Sequence, residues 1–250
     1  MTTPTVAVVA LLSLFALSKP AFVQTAAAYT SLSAALTHAR ELYLRSFTGL
    51  PQLINGPEYV DYAKPYHARI DHQFFPSPEK QPGSVYYNDH HFTGLLLAYD
   101  VVLDKVLISP PNSPLTLRLV DEKVRYFYLK ENHFVRLVAD EAKGEGIRTG
   151  FYELLVDSTV QVVAKRAKRL KEHIIQKDID VEFIKADKLF LKKDNKYYPI
   201  TKKASIIRLF SDRDKEIQAY LREQKLSFKK AQVESTVVRL AKYYCSLPPR

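Results

Sequence analysis

One cysteine, one methionine, seven glycines and no tryptophan in 250 residues leave this chain without several common chemical devices. Cys245 stands alone and cannot close an internal disulfide, so a disulfide-stapled scaffold and a Cys/His cluster are excluded. There is no glycine-rich phosphate loop, no GxSxG elbow and no HExxH pair. After the first thirty residues no window is apolar long enough to span a bilayer, which takes about 20 residues. No cysteine follows the N-terminal apolar run, which excludes a lipid anchor at that point.

What is present is a core-forming composition, 46% hydrophobic and 12% aromatic, sufficient to bury an interior without staples. Sixteen tyrosines and thirteen phenylalanines favour strands, because aromatic side chains suit pleated, half-buried surfaces. The N-terminus reads as an address. Val6 to Leu17 is a run of twelve residues, apolar but for Ser13, followed by Lys19-Pro20. Ala26 and Ala28 then offer a cut, and Ala21 and Val23 a second one, so residues 1–28 are expected to be a signal peptide. The stretch before the run, Met1 to Thr5, departs from the usual pattern in carrying no Lys or Arg. Export would place the mature chain in the periplasm or outside the cell.

Hairpins dominate the next part. Val85 to Tyr87 and His90 to Leu97 flank the turn Asn88-Asp89, and Ala98 to Leu103 and Lys105 to Ile108 flank Asp104. Leu115 to Val120, Val124 to Leu129, His133 to Val138, Phe151 to Val156 and Val160 to Lys165 alternate apolar and polar residues. Val181 to Ile184, Lys188 to Leu191 and Lys196 to Ile200 follow, giving about ten strands. The period then becomes helical. Ser211 is expected as an N-cap ahead of Asp214, and Val233, Val237, Leu240, Ala241 and Tyr244 form one stripe of a last helix from about Lys230 to Cys245. The expected fold class is α+β: a mainly antiparallel meander over residues 29–203, as a curved sheet, sandwich or open barrel, with C-terminal helices over 204–250 packed on it.

Charge is divided unevenly. Residues 1–159 hold 14 Lys and Arg against 16 Asp and Glu, while residues 160–250 hold 23 against 11. The densest basic stretch, Lys165, Arg166, Lys168, Arg169 and Lys171, is the candidate binding surface for an anionic partner: lipid head groups, acidic glycans or an acidic protein. Nucleic acid is not expected outside the cytoplasm.

Four of the seven histidines, His67, His72, His90 and His91, lie close in sequence beside Asp71 and Asp89, and are the candidate metal ligands. On a strand His90 and His91 would point to opposite faces, so the two would not share one ion. Glu58 and Asp61 are an acidic pair, Tyr59, Tyr62 and Tyr66 either edge a groove or pack on a sheet, and Asn55-Gly56-Pro57 reads as a turn with Gly56 at positive φ. No catalytic residue and no cofactor are assigned.

Asn55-Gly56-Pro57-Glu58-Tyr59, His72-Gln73-Phe74-Phe75, Gly83-Ser84-Val85, Tyr87-Asn88-Asp89, Leu97-Ala98-Tyr99-Asp100, Gly150-Phe151-Tyr152 and Lys192 to Ile200 together cover most of the mature chain. In these turn and strand signatures the chain resembles a family of uncharacterised exported proteins of Gram-negative bacteria. The resemblance implies a signal-bearing β-rich domain ending in helices and brings no activity with it. The expected function is a non-catalytic binding or interaction protein of the cell envelope. The alternatives are a periplasmic hydrolase or metal-dependent enzyme using the His67–His91 region, and a carrier of an apolar ligand.

Overall fold

Alternating apolar and polar side chains, punctuated by Asn and Asp, fold residues 81–200 into strands whose two faces differ in polarity. The computed structural model describes residues 50–110, 113–139, 146–229 and 231–248, so the expected leader, residues 1–28, lies outside the described residues. A short helix α1 (Leu50–Leu53) precedes two brief strands, β1 (Arg69–Ile70) and β2 (Phe74–Phe75). The meander then runs through β3 (Gln81–Tyr87), β4 (His90–Asp100), β5 (Lys105–Ile108), β6 (Leu117–Arg118), β7 (Val124–Leu129), β8 (Asn132–Leu137), β9 (Gly150–Asp157) and β10 (Gln161–Lys165). After it come β11 (Lys168–Ile175), β12 (Asp178–Lys185), β13 (Lys188–Lys193), β14 (Lys196–Ile200), and the helices α2 (Lys203–Leu209), α3 (Asp214–Glu223) and α4 (Val233–Ser246).

The large sheet has the order β14-β13-β10-β9-β8-β7-β3-β4-β5-β6, antiparallel throughout, with β2 also paired to β4. It curls into a half-barrel, so the fold is α+β with helices at the C-terminal end. A second, three-stranded sheet has the order β1-β12-β11, and its β1–β12 pair is parallel. Asn88 and Asp89 (φ 48° and 62°) close the β3–β4 hairpin, and Asp194 and Asn195 (φ 53° and 60°) close β13–β14. Two consecutive left-handed residues are what a tight two-residue hairpin needs, and Asn and Asp tolerate them.

One face of the large sheet is the principal interior. Tyr99, Phe127, Phe134 and Phe151 are all buried there, Phe127 lying flat on Phe134 at 4.8 Å and Tyr99 edge-on to Phe134 at 5.0 Å. Rings at these separations add about 0.5–1.5 kcal/mol per pair beyond the area they bury. Farther along the same ladder, Val162 and Leu191 pack with Ile206, Phe210, Ile217, Leu221, Val237, Leu240 and Ala241 of the helical end. Lys193 fastens α2 to β13 by donating to the Leu209 carbonyl and to Asp212, both at 2.7 Å, a cation answering carbonyls at a helix C-terminus.

Buried polar groups pin the irregular segment before β3. Asp100, fully buried, accepts from the Tyr59 hydroxyl (2.9 Å), the Tyr62 hydroxyl (3.3 Å) and the backbone N–H groups of Val102 and Leu103. Burial raises its pKa above the ordinary carboxyl range despite these donors, and burial likewise raises both phenols.

Several details differ from the sequence pattern. β4 is one strand of eleven residues, crossing the point where the sequence suggests a break after Leu97. The basic stretch spans two strands: Lys165 ends β10, Arg166 lies in the connection, and Lys168, Arg169 and Lys171 belong to β11, where the stems of Arg169 and Lys171 ride on a pleated surface with their heads in water. Ser211 does not cap a helix: residues 211–213 form a 3-10 turn and Asp214 begins α3 without a side-chain cap. Gly56 is not at positive φ; a Cβ there would run into the Arg118 carbonyl, so glycine is required by close approach of two backbones.

Candidate functional site

The ladder pairs Tyr126 with Val135, Tyr128 with His133, Leu154 with Val163, Gln161 with Lys192 and Lys192 with Tyr197. Residues opposite one another across antiparallel strands share a face, and the alternation places all of these on the face opposite Phe127 and Phe134. They line a hollow of about 450 Å³. Its walls are tyrosine rings from β7 and β14, its floor is aliphatic, with Val135, Leu137, Leu154 and Val163, and its polar groups are His133, Asp157, Gln161 and Lys192.

His133 is the chemically distinctive member. Its ring lies flat against Tyr128 at 4.3 Å, with an interplanar angle of 9°, and meets Tyr126 edge-on at 5.7 Å. Its Nε2 is shut off from water and has no hydrogen-bond partner among the described residues. Leaving such a nitrogen unpaired costs about 1–3 kcal/mol. Burial holds the imidazole below its ordinary pKa, Asp157 pulling the other way, so it is neutral at pH 7. Asp157 is occupied by Gln161, whose amide donates to it at 2.6 Å, and the Lys192 ammonium sits 5.3 Å over the Tyr197 ring. With one carboxylate, one ammonium and a neutral imidazole, the hollow carries no net charge.

The sequence-derived candidates fall elsewhere. Of the five cations, Arg166 is buried: its Nε donates to Glu153 at 2.5 Å, Nη1 to Asp187 at 2.9 Å, and Nη1 and Nη2 clasp Glu234 at 2.6 and 2.8 Å. Burial works against the guanidinium charge, but Glu234 and Glu153 outweigh it and hold the pKa above its ordinary value. Lys165 pairs with Asp104 at 2.5 Å, and Lys168 donates to Asp71 at 3.1 Å and to the His72 carbonyl at 2.6 Å. Arg169 and Lys171 remain on the exposed surface of β11. The basic stretch therefore divides into three cations facing inward partners and two facing solvent.

The four histidines do not converge. His67 bonds Asp180 at 3.0 Å, His72 accepts from the Phe74 N–H at 3.1 Å, His90 lies 2.7 Å from the Asn88 carbonyl and His91 leans on Tyr126. Among the described residues no three His, Cys, Asp or Glu side chains gather as metal ligands would. Glu58 is exposed, and Asp61 is held by the Ala63 N–H and the Gln73 amide. Tyr59 and Tyr62 serve the Asp100 network, while Tyr66 bonds Glu172.

Sequence patterning gave no weight to the hollow, yet a signal existed. In Arg125-Tyr126-Phe127-Tyr128-Leu129 and His133-Phe134-Val135, the positions alternating with buried Phe127, Leu129 and Phe134 should be polar, and three of them are aromatic or imidazole. Compared with protein families, curated proteins and solved structures, the chain matches none.

Proposed function

We propose that the chain is an exported, non-catalytic binding protein of the cell envelope whose ligand occupies the hollow between Tyr128, His133 and Tyr197. The observation that carries this reading is the His133–Tyr128 pair: an imidazole stacked flat on a tyrosine ring, forming an aromatic wall beside a space of ligand size. The groups around it select for an uncharged molecule, with a ring or another flat apolar body against the tyrosines and a hydrogen-bonding edge toward Gln161 and Asp157. His133 is hemmed by Tyr126 and Tyr128, and Asp157, the carboxylate nearby, accepts from the Gln161 amide; no nucleophile adjoins the imidazole among the described residues, which favours recognition over turnover.

The test is an NMR titration of the His133 ring protons with neutral probes: glucose oligomers, a phenol and an N-phenylnaphthylamine. At least one class should shift that resonance and do so equally at low and high salt, because the site has no net charge to screen. Tyr128→Ala should abolish the effect. Silence from every probe, or binding that survives in Tyr128→Ala, would overturn the reading.

A further inference from the structure

The corner where β5 and β6 end the large sheet gathers two cations that meet no carboxylate. Ile108 and Leu117 pair across these strands, and both pack in the aromatic interior. Side chains alternate along a strand, so their neighbours Ser109, Thr116 and Arg118 stand on the opposite face. Lys80, just before β3, reaches across to them: its ammonium donates to the Ser109 hydroxyl and to the Thr116 hydroxyl, the latter at 2.8 Å. The backbone of β6 is fixed on both sides here. The Arg118 N–H donates to the Pro57 carbonyl at 2.9 Å, the Tyr59 N–H donates to the Thr116 carbonyl at 2.7 Å, and Gly56 lies against the Arg118 carbonyl.

Donors at this corner outnumber acceptors. Lys80 is half-buried and has no ion pair among the described residues; burial lowers its pKa and no carboxylate raises it again. Arg118 likewise has no ion pair among the described residues, and its Nε is shut off from water without a hydrogen-bond partner. The Ser109 and Thr116 oxygens accept from Lys80, while their own protons go to no acceptor among the described residues. Carboxylates of the neighbouring segments are committed elsewhere. Asp121 pairs with Lys105, Glu79 accepts from the Ser77 hydroxyl, Asp100 is held by Tyr59 and Tyr62, and Glu58, bridged to Leu117, belongs to the other face. A charge and donors set in a half-buried place are costly until an acceptor answers them. We propose that Lys80, Ser109, Thr116 and Arg118 bind a phosphate-type oxyanion, Arg118 through its fork of N–H groups, Lys80 through its charge and the two hydroxyls as further donors. The site is independent of the hollow beside His133, which lies between β7 and β14 at the other end of the sheet.

The test is calorimetric titration of the full chain with inorganic phosphate, sulfate, glycerol phosphate and acetate at fixed ionic strength, with the Arg118 Nε–H resonance followed by NMR. Saturable binding of the tetrahedral anions in the millimolar range is expected, acetate binding more weakly, and the Arg118 signal should move along the same curve. Lys80→Met and Arg118→Met should each weaken binding about tenfold or more, the scale of one hydrogen bond to a charged group. Arg169→Met/Lys171→Met removes two exposed cations of β11 and should leave binding unchanged. Unchanged circular dichroism would show that the variants fold; if Arg118→Met does not fold, the wild-type Nε–H shift and Lys80→Met decide. Glycerol phosphate binding more tightly than inorganic phosphate would identify the occupant as a phosphomonoester, and the reverse as the free ion; either supports the proposal. Absence of saturable binding overturns it. So does binding that is undiminished in Lys80→Met, or that falls as far in the β11 variant, since both would reflect net charge alone.

Discussion

Replacing Arg166 by Met should be the most damaging single change in the basic stretch, although charge reversal on a solvated face would be mild. The guanidinium is 6% exposed and its nearest carboxylate, Glu153, is 4% exposed. Removing the cation strands Glu153 in the interior with only the Asn132 amide, at 2.6 Å, to answer it. Breaking a buried pair on one side costs about 3–5 kcal/mol, chiefly from the charge left behind. Glu234 has a side chain 40% exposed, so Glu234→Gln should cost only about 1 kcal/mol after solvent screening. For a domain of this size, where each kcal/mol moves the midpoint by about 2–4 °C, Arg166→Met should lower Tm by about 6–20 °C. Urea unfolding followed by circular dichroism would measure both variants. The decisive comparison is Arg166→Met with Glu153→Gln/Arg166→Met. If the penalty is an uncompensated charge, neutralising Glu153 as well recovers part of the loss. The reasoning is refuted if Arg166→Met costs no more than Glu234→Gln, or if the double variant is no more stable than Arg166→Met.

Gly150→Ala should destabilise by about 1–3 kcal/mol, because residue 150 sits at φ 156°, a backbone conformation that L side chains rarely adopt. Its Cβ would also push on the Lys165–Asp104 pair; a neutral result in urea titration would contradict the backbone argument. Ring titration by NMR should give His133 and His72 midpoints below the ordinary 6.5, burial being the leading cause in each, and His67 a midpoint above it, from its bond to Asp180. Between their lowered values and 6.5, His133 and His72 bind fewer protons folded than unfolded. Their contribution to stability therefore rises with pH across that window and is lost as pH falls through it. Asp157→Asn should depress the His133 midpoint further; a midpoint at or above 6.5 would refute the burial argument.

Strand positions were legible wherever one face was buried and the turn residues were Asn or Asp. β7 and β14 occupy the expected residues and β9–β10 differ only at their ends, whereas β3 begins four residues earlier than expected and β4 absorbs Ala98 to Asp100 of what the sequence suggests is a separate strand. The stripe of the last helix was legible for the same reason, with Val237, Leu240 and Ala241 all buried. β11 was not, because its burial pattern alternates only weakly and its lysines read as a solvated run. β1 and β2 were missed because two residues carry no period. The hollow was least visible: charge and histidine spacing direct attention to residues 165–171 and 67–91, whereas Tyr128, His133, Gln161 and Lys192 lie on four strands that only the ladder aligns. Likewise, the partners that turn Arg166 inward, Glu153, Asp187 and Glu234, are spread over 82 positions of sequence.

Because Val162 pairs directly with Leu191, the ladder of the large sheet passes over residues 166–187 as though they were absent. The β11–β12 hairpin is spliced between two neighbouring strands without entering their register, and it is fastened at its base by Arg166, Asp187 and the buried Val181 and Phe183. Natural variation can therefore lengthen, shorten or recolour its outer end, residues 174–179, while the scaffold keeps every rung, so that end is expected to drift faster among homologues than the strands the hairpin joins.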